Sequence, residues 1–268
     1  MRPWGFISRL TGCAHSLALV PATLASVLGI APAAQSAQAL RIGVPYLPPV
    51  SKSIEARLYT EESFELDLAR EVGARLARPV ELVRLGEEET GAALASGRVA
   101  LVLTRGATPA GTGLSTGFSS GLAASMRSDT SIRRWEDLAG KTVCISEANE
   151  PARKLAEGYG AAVRAERAPA RSLMRVRTGE CDAAIHDEEL LRRLFSRKEW
   201  QKFSATLPAA PATELRAVLP AAASPLNDEL ARAIATLGVP AEWKRREERW
   251  VANVAFEVYL EQEAPDCH

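Results

Sequence analysis

The sequence has few of the residues that carry hydrolytic and metal chemistry. It contains three histidines, at positions 15, 186 and 268, and four cysteines in 268 residues. Only His186 lies away from the two ends of the chain, so the sequence supports no Ser-His-Asp arrangement. Cys144, Cys181 and His186 could be imagined around a metal ion, but a disulfide explains the two cysteines more simply. This scarcity favours a protein without a catalytic residue, a metal site or a cofactor.

An excess of charge of one sign is also lacking. The 33 basic and 33 acidic residues balance, and removal of the first 39 residues leaves 31 basic and 33 acidic ones. Nothing here favours nucleic acid or an anionic membrane surface as a partner. A hydrophobic content of 47% and a charged content of 25% are typical of a soluble globular protein. The length is sufficient for two lobes with ordinary cores.

Long apolar runs are confined to the N terminus. Two arginines lie among the first ten residues, an apolar stretch follows over 17–34, and residues 37–39 read Ala-Gln-Ala. This order predicts a signal peptide over 1–39 that is cleaved before Leu40, and therefore export to the periplasm. A membrane anchor is the alternative for the same stretch. No later segment is apolar over enough residues to span a bilayer.

Strand-like and helix-like patterns alternate along the rest of the chain. The predicted strands are 40–44, 80–85, 99–103, 141–146, 161–165, 181–186 and 214–219. Segments of helical periodicity lie between them, and a long charged helix is predicted over 241–260. A stretch rich in Gly, Ser and Thr over 106–121 predicts a loop. The alternation predicts an α/β fold of mostly parallel sheets flanked by helices.

Two of the cysteines lie in matching strand motifs, over 141–145 and 178–185. Each motif reads as a short buried strand that is entered from a turn. Strands of one parallel sheet lie about 4.8 Å apart, which is within the Cα separation that a disulfide needs. If the two strands are neighbours, Cys144 and Cys181 can form a disulfide, which would imply an oxidising compartment.

The order of these motifs resembles the extracytoplasmic solute-binding proteins of family 3, which serve polar amino acid uptake. Some members carry a disulfide at the positions of Cys144 and Cys181. The resemblance covers almost the whole chain after residue 39. Its matching pieces are 40–44, 64–69, 93–99, 135–143, 179–188, 225–227 and Trp250.

The resemblance implies a two-lobed, type II periplasmic-binding-protein fold with a two-segment hinge. Lobe one would comprise 40–122 and 219–260, lobe two 128–213, and a tail 261–268. Such a protein is a periplasmic monomer that captures a small polar ligand between its lobes. It passes the ligand to the permease of an ABC transporter, or reports it to a sensor.

The resemblance also implies ligand contacts, some of which this sequence alters. The family's carboxylate-binding Arg would follow Thr108 by three positions, where this chain has Gly111. Thr104 and Thr108 are themselves candidate ligand contacts. Arg105, at the end of the third strand, could reach the same space or be a solvated loop residue. Asp187 matches the residue that accepts a ligand's ammonium group, or else caps the following helix.

Two further candidates lie in loops after predicted strands. Tyr46 could stack on a ligand or pack in the core. Asn149 lies at a helix start that offers N–H groups to anions, but Glu147 and Glu150 flank it and are also suitable as helix caps. Because the carboxylate clamp is altered while acids remain, we expect a cationic or amine ligand.

Two other functions stay open. The chain could be an accessory protein that docks to a partner and no longer binds a small molecule, which its tail with the odd cysteine Cys267 would suit. It could instead be a periplasmic dehydratase that uses Glu147 or Glu150 as a general acid or base.

Overall fold

The computed structural model describes residues 38–48, 59–106, 113–198, 200 and 204–261. Most of the predicted signal peptide, Thr108, Gly111 and Cys267 lie outside these residues. In chain order the strands are β1 (Leu40–Val44), β2 (Val80–Arg84), β3 (Leu101–Thr104), β4 (Gly113–Ser120), β5 (Leu122–Met126), β6 (Thr142–Ser146), β7 (Ala162–Glu166), β8 (Ala183–Asp187), β9 (Ala205–Thr206) and β10 (Thr213–Val218). The helices are α1 (Phe64–Arg75), α2 (Thr90–Ala95), α3 (Glu150–Gly158), α4 (Pro169–Thr178), α5 (Glu188–Phe195), α6 (Pro225–Leu237) and α7 (Pro240–Leu260).

The first sheet has five strands in the order β2-β1-β3-β10-β4. We call this sheet and the helices α1, α2 and α6 lobe one. Strand β1 pairs in parallel with β2 and β3, and β10 pairs antiparallel with β3 and β4. The central β1 and β3 are almost wholly apolar and buried, as expected for strands covered on both faces.

The second sheet has five strands in the order β7-β6-β8-β5-β9, and with α3, α4 and α5 it forms lobe two. Strand β6 pairs in parallel with β7 and β8, so the two cysteine motifs are neighbours. A disulfide joins Cys144 on β6 to Cys181 just before β8, with the Cα atoms 5.9 Å apart. Both cysteines are buried.

The chain crosses between the sheets twice. It leaves lobe one at Gly121, between β4 and β5, and returns between β9 and β10. The two crossings run side by side, since the Ala210 N–H donates to the Leu122 carbonyl at 2.8 Å. A side chain at Gly121 would collide with the Ala210 carbonyl, so this close approach requires glycine.

The loop prediction over 106–121 is wrong for its second half, which is strand β4. Its residues alternate between buried and exposed, with Thr116 and Phe118 inside, and the strand pairs along its length with β10. Gly117 has a positive φ of 74° and lies against the backbone of Gly238. Glycine and serine are tolerated here because long-range pairing supplies the strand geometry that local propensity does not.

Helix α7, which the sequence assigns to lobe one, contacts both lobes. Its Trp243 donates from Nε1 to the Thr116 carbonyl of β4 at 2.6 Å and packs against Phe118. Further along, Glu247 forms an ion pair with Arg193 of α5 at 2.7 Å. The helix therefore braces lobe one against lobe two. No helix within the described ranges is long and apolar enough to cross a membrane.

Candidate functional site

A cavity of about 870 Å³ opens between the two lobes. It lies where the carboxyl ends of the strands meet, which is the usual position for a ligand in open α/β sheets. Tyr46 follows β1 and Arg105 follows β3, while Glu147 follows β6 and Asp187 ends β8. Short loops after buried strands thus bring polar groups from both lobes to one cleft.

The innermost contact of the cleft is an ion pair between the lobes. Arg105 of lobe one donates to both carboxylate oxygens of Asp187 in lobe two, at 2.7 and 3.3 Å. The Arg105 Nε lies 3.2 Å from a carboxylate oxygen of Glu65, and the guanidinium carbon lies 5.1 Å from the centre of the Phe118 ring. The Arg105 side chain is 9% exposed and that of Asp187 is 1% exposed.

A second connection between the lobes runs through the carboxylate of Glu62, just before α1. Its Oε1 accepts from the Asp187 backbone N–H and from Asn149 Nδ2, both at 3.0 Å. Its Oε2 lies 2.6 Å from His186 Nδ1. We call Glu62, Glu65, Arg105, Asn149, His186 and Asp187 the inner cluster.

A serine–histidine–carboxylate series that the sequence did not predict runs from Ser172 to the inner cluster residues His186 and Glu62. The Ser172 hydroxyl lies 2.9 Å from His186 Nε2, and His186 in turn meets Glu62. Ser172 and His186 are both fully buried, and neither lines the cavity. A nucleophile must reach its substrate, so this series satisfies buried polar groups and does not form a hydrolytic site.

Burial and neighbouring opposite charges shift the pKa values of Arg105 and Asp187 in opposite directions. Burial raises the pKa of Asp187 above its ordinary value, and the charge of Arg105 opposes that rise. Burial lowers the pKa of Arg105, but the charges of Asp187 and Glu65 outweigh it and raise the pKa. The guanidinium is therefore firmly charged and is shared among more than one carboxyl group.

The geometry distinguishes between the alternatives left open for three residues. The Asp187 side chain makes no capping hydrogen bond to α5 and faces Arg105 instead. The Arg105 side chain is only 9% exposed and pairs with Asp187, so it is not a solvated loop residue. Asn149 does cap α3, accepting from Ala152 N–H at 3.0 Å, while its amide group reaches Glu62.

The other two described candidates, Thr104 and Tyr46, also line the cavity. The Thr104 hydroxyl accepts from the Gly106 N–H at 3.0 Å, which shapes the turn after β3. Tyr46 is half-buried in the cleft wall. Burial raises the pKa of Tyr46 to about 12, and the negative charges of Glu61 and Glu147 add to the rise.

The outer wall of the cleft is rich in carboxylates, and we call it the acidic rim: Glu87, Glu88, Glu89, Glu147 and Glu150. Of the described residues that line the cavity, eight are acidic and three, Arg84, Arg105 and Lys154, are basic. Arg98 and Arg153 pair with Glu89 and Glu150 from outside the cavity. Carboxylates remain in excess even when these two arginines are counted.

Sequence reasoning missed Glu62, Glu65 and most of the acidic rim. The three consecutive acids 87–89 resemble ordinary caps at a helix start. Glu62 lies at the end of what reads as a polar loop. It comes directly before the apolar pattern of α1, and a charged residue at such a position is expected to be exposed. No local signal could have identified it.

Comparison by sequence yields nothing, since no protein-family model matches the chain and no curated protein matches it. Solved structures do match. A mutant of ArgBP from T. maritima aligns over 80% of this chain and 95% of its own, at 15% identity and a TM-score of 0.51. The ligand-binding core of GluR0 in complex with L-glutamate aligns over 81% and 98%, at 20% identity and 0.50.

This chain has the two-lobed fold of the type II periplasmic binding proteins. An ancestral amino acid-binding protein described as a precursor of cyclohexadienyl dehydratase shares it, covering 80% of this chain and 95% of its own at 16% identity and a TM-score of 0.50. At such identities the likeness concerns the fold alone. That fold is the one implied by the resemblance to family 3 solute-binding proteins.

Proposed function

We propose that this periplasmic-binding-protein fold serves as an exported receptor for a small cationic solute, either an amine or a basic amino acid-like compound. The supporting observation is the excess of carboxylates around the interlobe cavity. Carboxylates that line a cleft with low-dielectric walls concentrate negative potential and attract cations. A volume of about 870 Å³ is within the range of small-molecule sites.

A solute whose binding depends on its own carboxylate is disfavoured, because basic groups of the cleft already pair with acidic side chains. Arg105 is taken up by Asp187 and Glu65. Lys154 lies 3.4 Å from Glu87 across the cavity, which leaves Arg84 as the remaining basic residue among those described in the lining. We therefore expect the ammonium or guanidinium group of the solute to dominate recognition.

Delivery of the solute to an ABC transporter or a sensor is part of the same proposal. Export rests on the predicted signal peptide, and the mass of the protein recovered from the periplasm of an expressing bacterium would test cleavage before Leu40. A mass that retains the first 39 residues would contradict export with processing.

Calorimetric titration of the purified protein tests the ligand class. Agmatine and arginine differ by one carboxylate, and glutamate and succinate supply anions. We expect agmatine and putrescine to bind at least as well as arginine, and the anions not to bind. At a hundredfold excess over Kd, a true ligand adds about 2.7 kcal/mol to the free energy of unfolding, so a rise in Tm should accompany binding. Binding of free α-amino acids alone would contradict the proposed ligand class.

A docking protein without a solute is the second candidate, and the inner cluster favours it. Arg105 and Glu62 already make the contacts to Asp187, His186 and Asn149 that a bound molecule would otherwise make. A well-folded protein that binds no compound of the panel would support this function over a receptor.

A dehydratase is the third candidate. Glu147 and Glu150 face the cavity and could transfer a proton. The cyclic acids on which such enzymes act are anionic, however, and an acidic rim would repel them. Turnover of a cyclic carboxylic acid that is lost in Glu147→Gln would revive this function.

A further inference from the structure

The inner cluster contains one cation and one anion from lobe one, and groups of lobe two bind each of them. The cation is the Arg105 guanidinium, held by the Asp187 carboxylate. The anion is the Glu62 carboxylate, held by the Asp187 N–H, the Asn149 amide and the His186 ring. Both sets of contacts are made across the cleft. Glu62, Asn149, His186 and Asp187 are buried, and the Arg105 side chain is 9% exposed.

The surroundings of the guanidinium have the features of a recognition site for that group. The Asp187 carboxylate accepts one hydrogen bond from each terminal nitrogen of the guanidinium, and a Glu65 oxygen lies 3.2 Å from the third nitrogen, Nε. The rings of Phe118 and Phe64 lie 5.1 and 6.0 Å from the guanidinium carbon. Two-bonded carboxylate pairing combined with aromatic contact is specific for guanidinium and is not reproduced by an ammonium.

We propose that the floor of the cleft is a guanidinium-binding site that the chain fills with its own Arg105, so that the lobes are held together without a bound solute. The arginine acts as an internal ligand. Its removal exposes a site of the same chemistry, which then accepts a free guanidinium compound. The proposal rests on the inner cluster and is independent of what binds at the acidic rim.

The other contacts between the lobes limit how far the cleft would loosen. Glu87–Lys154 and Glu61–Arg167 also connect the lobes, at 3.4 and 3.8 Å. The first of these pairs is more than half exposed and contributes little. Helix α7 braces both lobes from behind through Trp243 and Glu247. Loss of Arg105 should therefore open the cleft without unfolding either sheet.

Rescue of Arg105→Ala with ethylguanidinium is the direct test. Alanine keeps the Cβ atom, and ethylguanidinium replaces the atoms that the substitution removes. We expect Arg105→Ala to lower Tm by roughly 10 °C, because the substitution breaks a buried ion pair. Ethylguanidinium at about 20 mM, far too dilute to denature the protein, should restore part of that loss. The wild type and Arg105→Lys should not respond.

Uncharged ethylurea has nearly the same shape and is the matched probe. Equal responses to ethylurea and ethylguanidinium would overturn the proposal, as would a wild-type Tm in Arg105→Ala. If Arg105→Ala does not fold, Asp187→Asn serves instead, since it keeps the arginine and removes the carboxylate. We expect it to lose stability without any rescue by ethylguanidinium, and rescue would contradict the assigned partner.

Small-angle X-ray scattering reports on the lobes directly. The wild type should keep one radius of gyration with and without solutes, while Arg105→Ala should expand and contract again on addition of ethylguanidinium. Contraction of the wild type on addition of a solute would show that the lobes are apart at rest and would overturn the internal ligand. Absence of any solute that binds the wild type would contradict the proposed receptor function and leave this result unaffected.

Discussion

The inner cluster and the acidic rim lie at the same junction between the lobes, but their carboxylates are in different environments. Glu62, Glu65 and Asp187 of the inner cluster are almost fully buried, and each meets a cation, a ring nitrogen or an N–H donor. The carboxylates of Glu87 and Glu150 in the rim are at least half exposed. A buried charge must be paired as the protein folds, because the interior does not solvate it. A charge at the surface can stay uncompensated and remain available to a ligand.

Removal of one carboxylate from the inner cluster and of one from the acidic rim should give the largest difference in stability. Glu62→Ala leaves the His186 ring, the Asn149 amide and the Asp187 N–H without their partner, so we expect a loss of about 3–5 kcal/mol in the free energy of unfolding. Glu88→Ala in the rim should change it by less than about 0.5 kcal/mol. Urea denaturation followed by circular dichroism measures both. Similar losses in the two variants would contradict the distinction.

Removal of the disulfide should have the next largest effect on the free energy of unfolding. It should destabilise lobe two without changing solute binding in the cleft. Replacement of both Cys144 and Cys181 by alanine removes a link between positions 37 apart, at a cost of about 4 kcal/mol in the loop-entropy account. Solute affinity should be unchanged, since neither cysteine lines the cavity. If a reducing agent leaves the unfolding midpoint of the wild type where it was, the disulfide does not stabilise the fold.

Charge changes in the rim should alter solute affinity and leave stability almost unchanged. We expect Glu147→Gln to weaken binding of a cationic solute about fivefold, equivalent to about 1 kcal/mol. Lys154→Gln should strengthen it, because the substitution releases Glu87 from its ion pair. Titration calorimetry at two salt concentrations measures both effects, which added salt should reduce. Changes of the same sign in the two variants would contradict an electrostatic origin.

The smallest expected effect concerns Glu257 of α7, a buried carboxylate for which the described residues supply no cationic partner. It accepts from the Thr60 N–H and hydroxyl through one oxygen, at 2.7 and 2.6 Å. Burial raises its pKa above the usual 4.5, and the Thr60 bonds oppose the rise. The native state therefore holds this proton more tightly than the unfolded state, and its contribution to stability falls as pH rises through the native pKa.

Glu257→Gln keeps the acceptor oxygen and removes the titration. The variant should gain stability over the wild type at pH 7, and the gain should vanish near pH 4. Thermal unfolding across this range measures the difference. A gain that grows on acidification would contradict a raised pKa of Glu257 in the native state.

Much of the fold follows from local patterns. The alternation of strand and helix predicted the α/β class, and the charged pattern over 241–260 predicted α7 to within one residue at its start. Strand β4 was missed because Gly and Ser carry little strand propensity, and its geometry comes from pairing with β10 nearly a hundred residues later.

The site was predicted less completely than the fold. The resemblance identified Asp187, and Arg105 was a candidate for the same cleft, but each was considered as a contact for a ligand. Their pairing with each other could not be predicted, because it joins residues 82 positions apart in different lobes. Glu62 meets His186 across 124 positions, and its place at the end of a polar loop predicts exposure.

By itself the sequence determined the order of strands and helices, the capacity of two strand cysteines to pair, and the absence of a local catalytic pattern. These properties depend on periodicity and spacing within short segments, where neighbours in sequence are neighbours in space. Only the tertiary structure decided that the floor of the cleft is filled by the chain's own charges while the rim keeps an excess of carboxylates. Whether a charge is buried and what pairs with it depend on how the two lobes meet, and no segment of the chain contains that information alone.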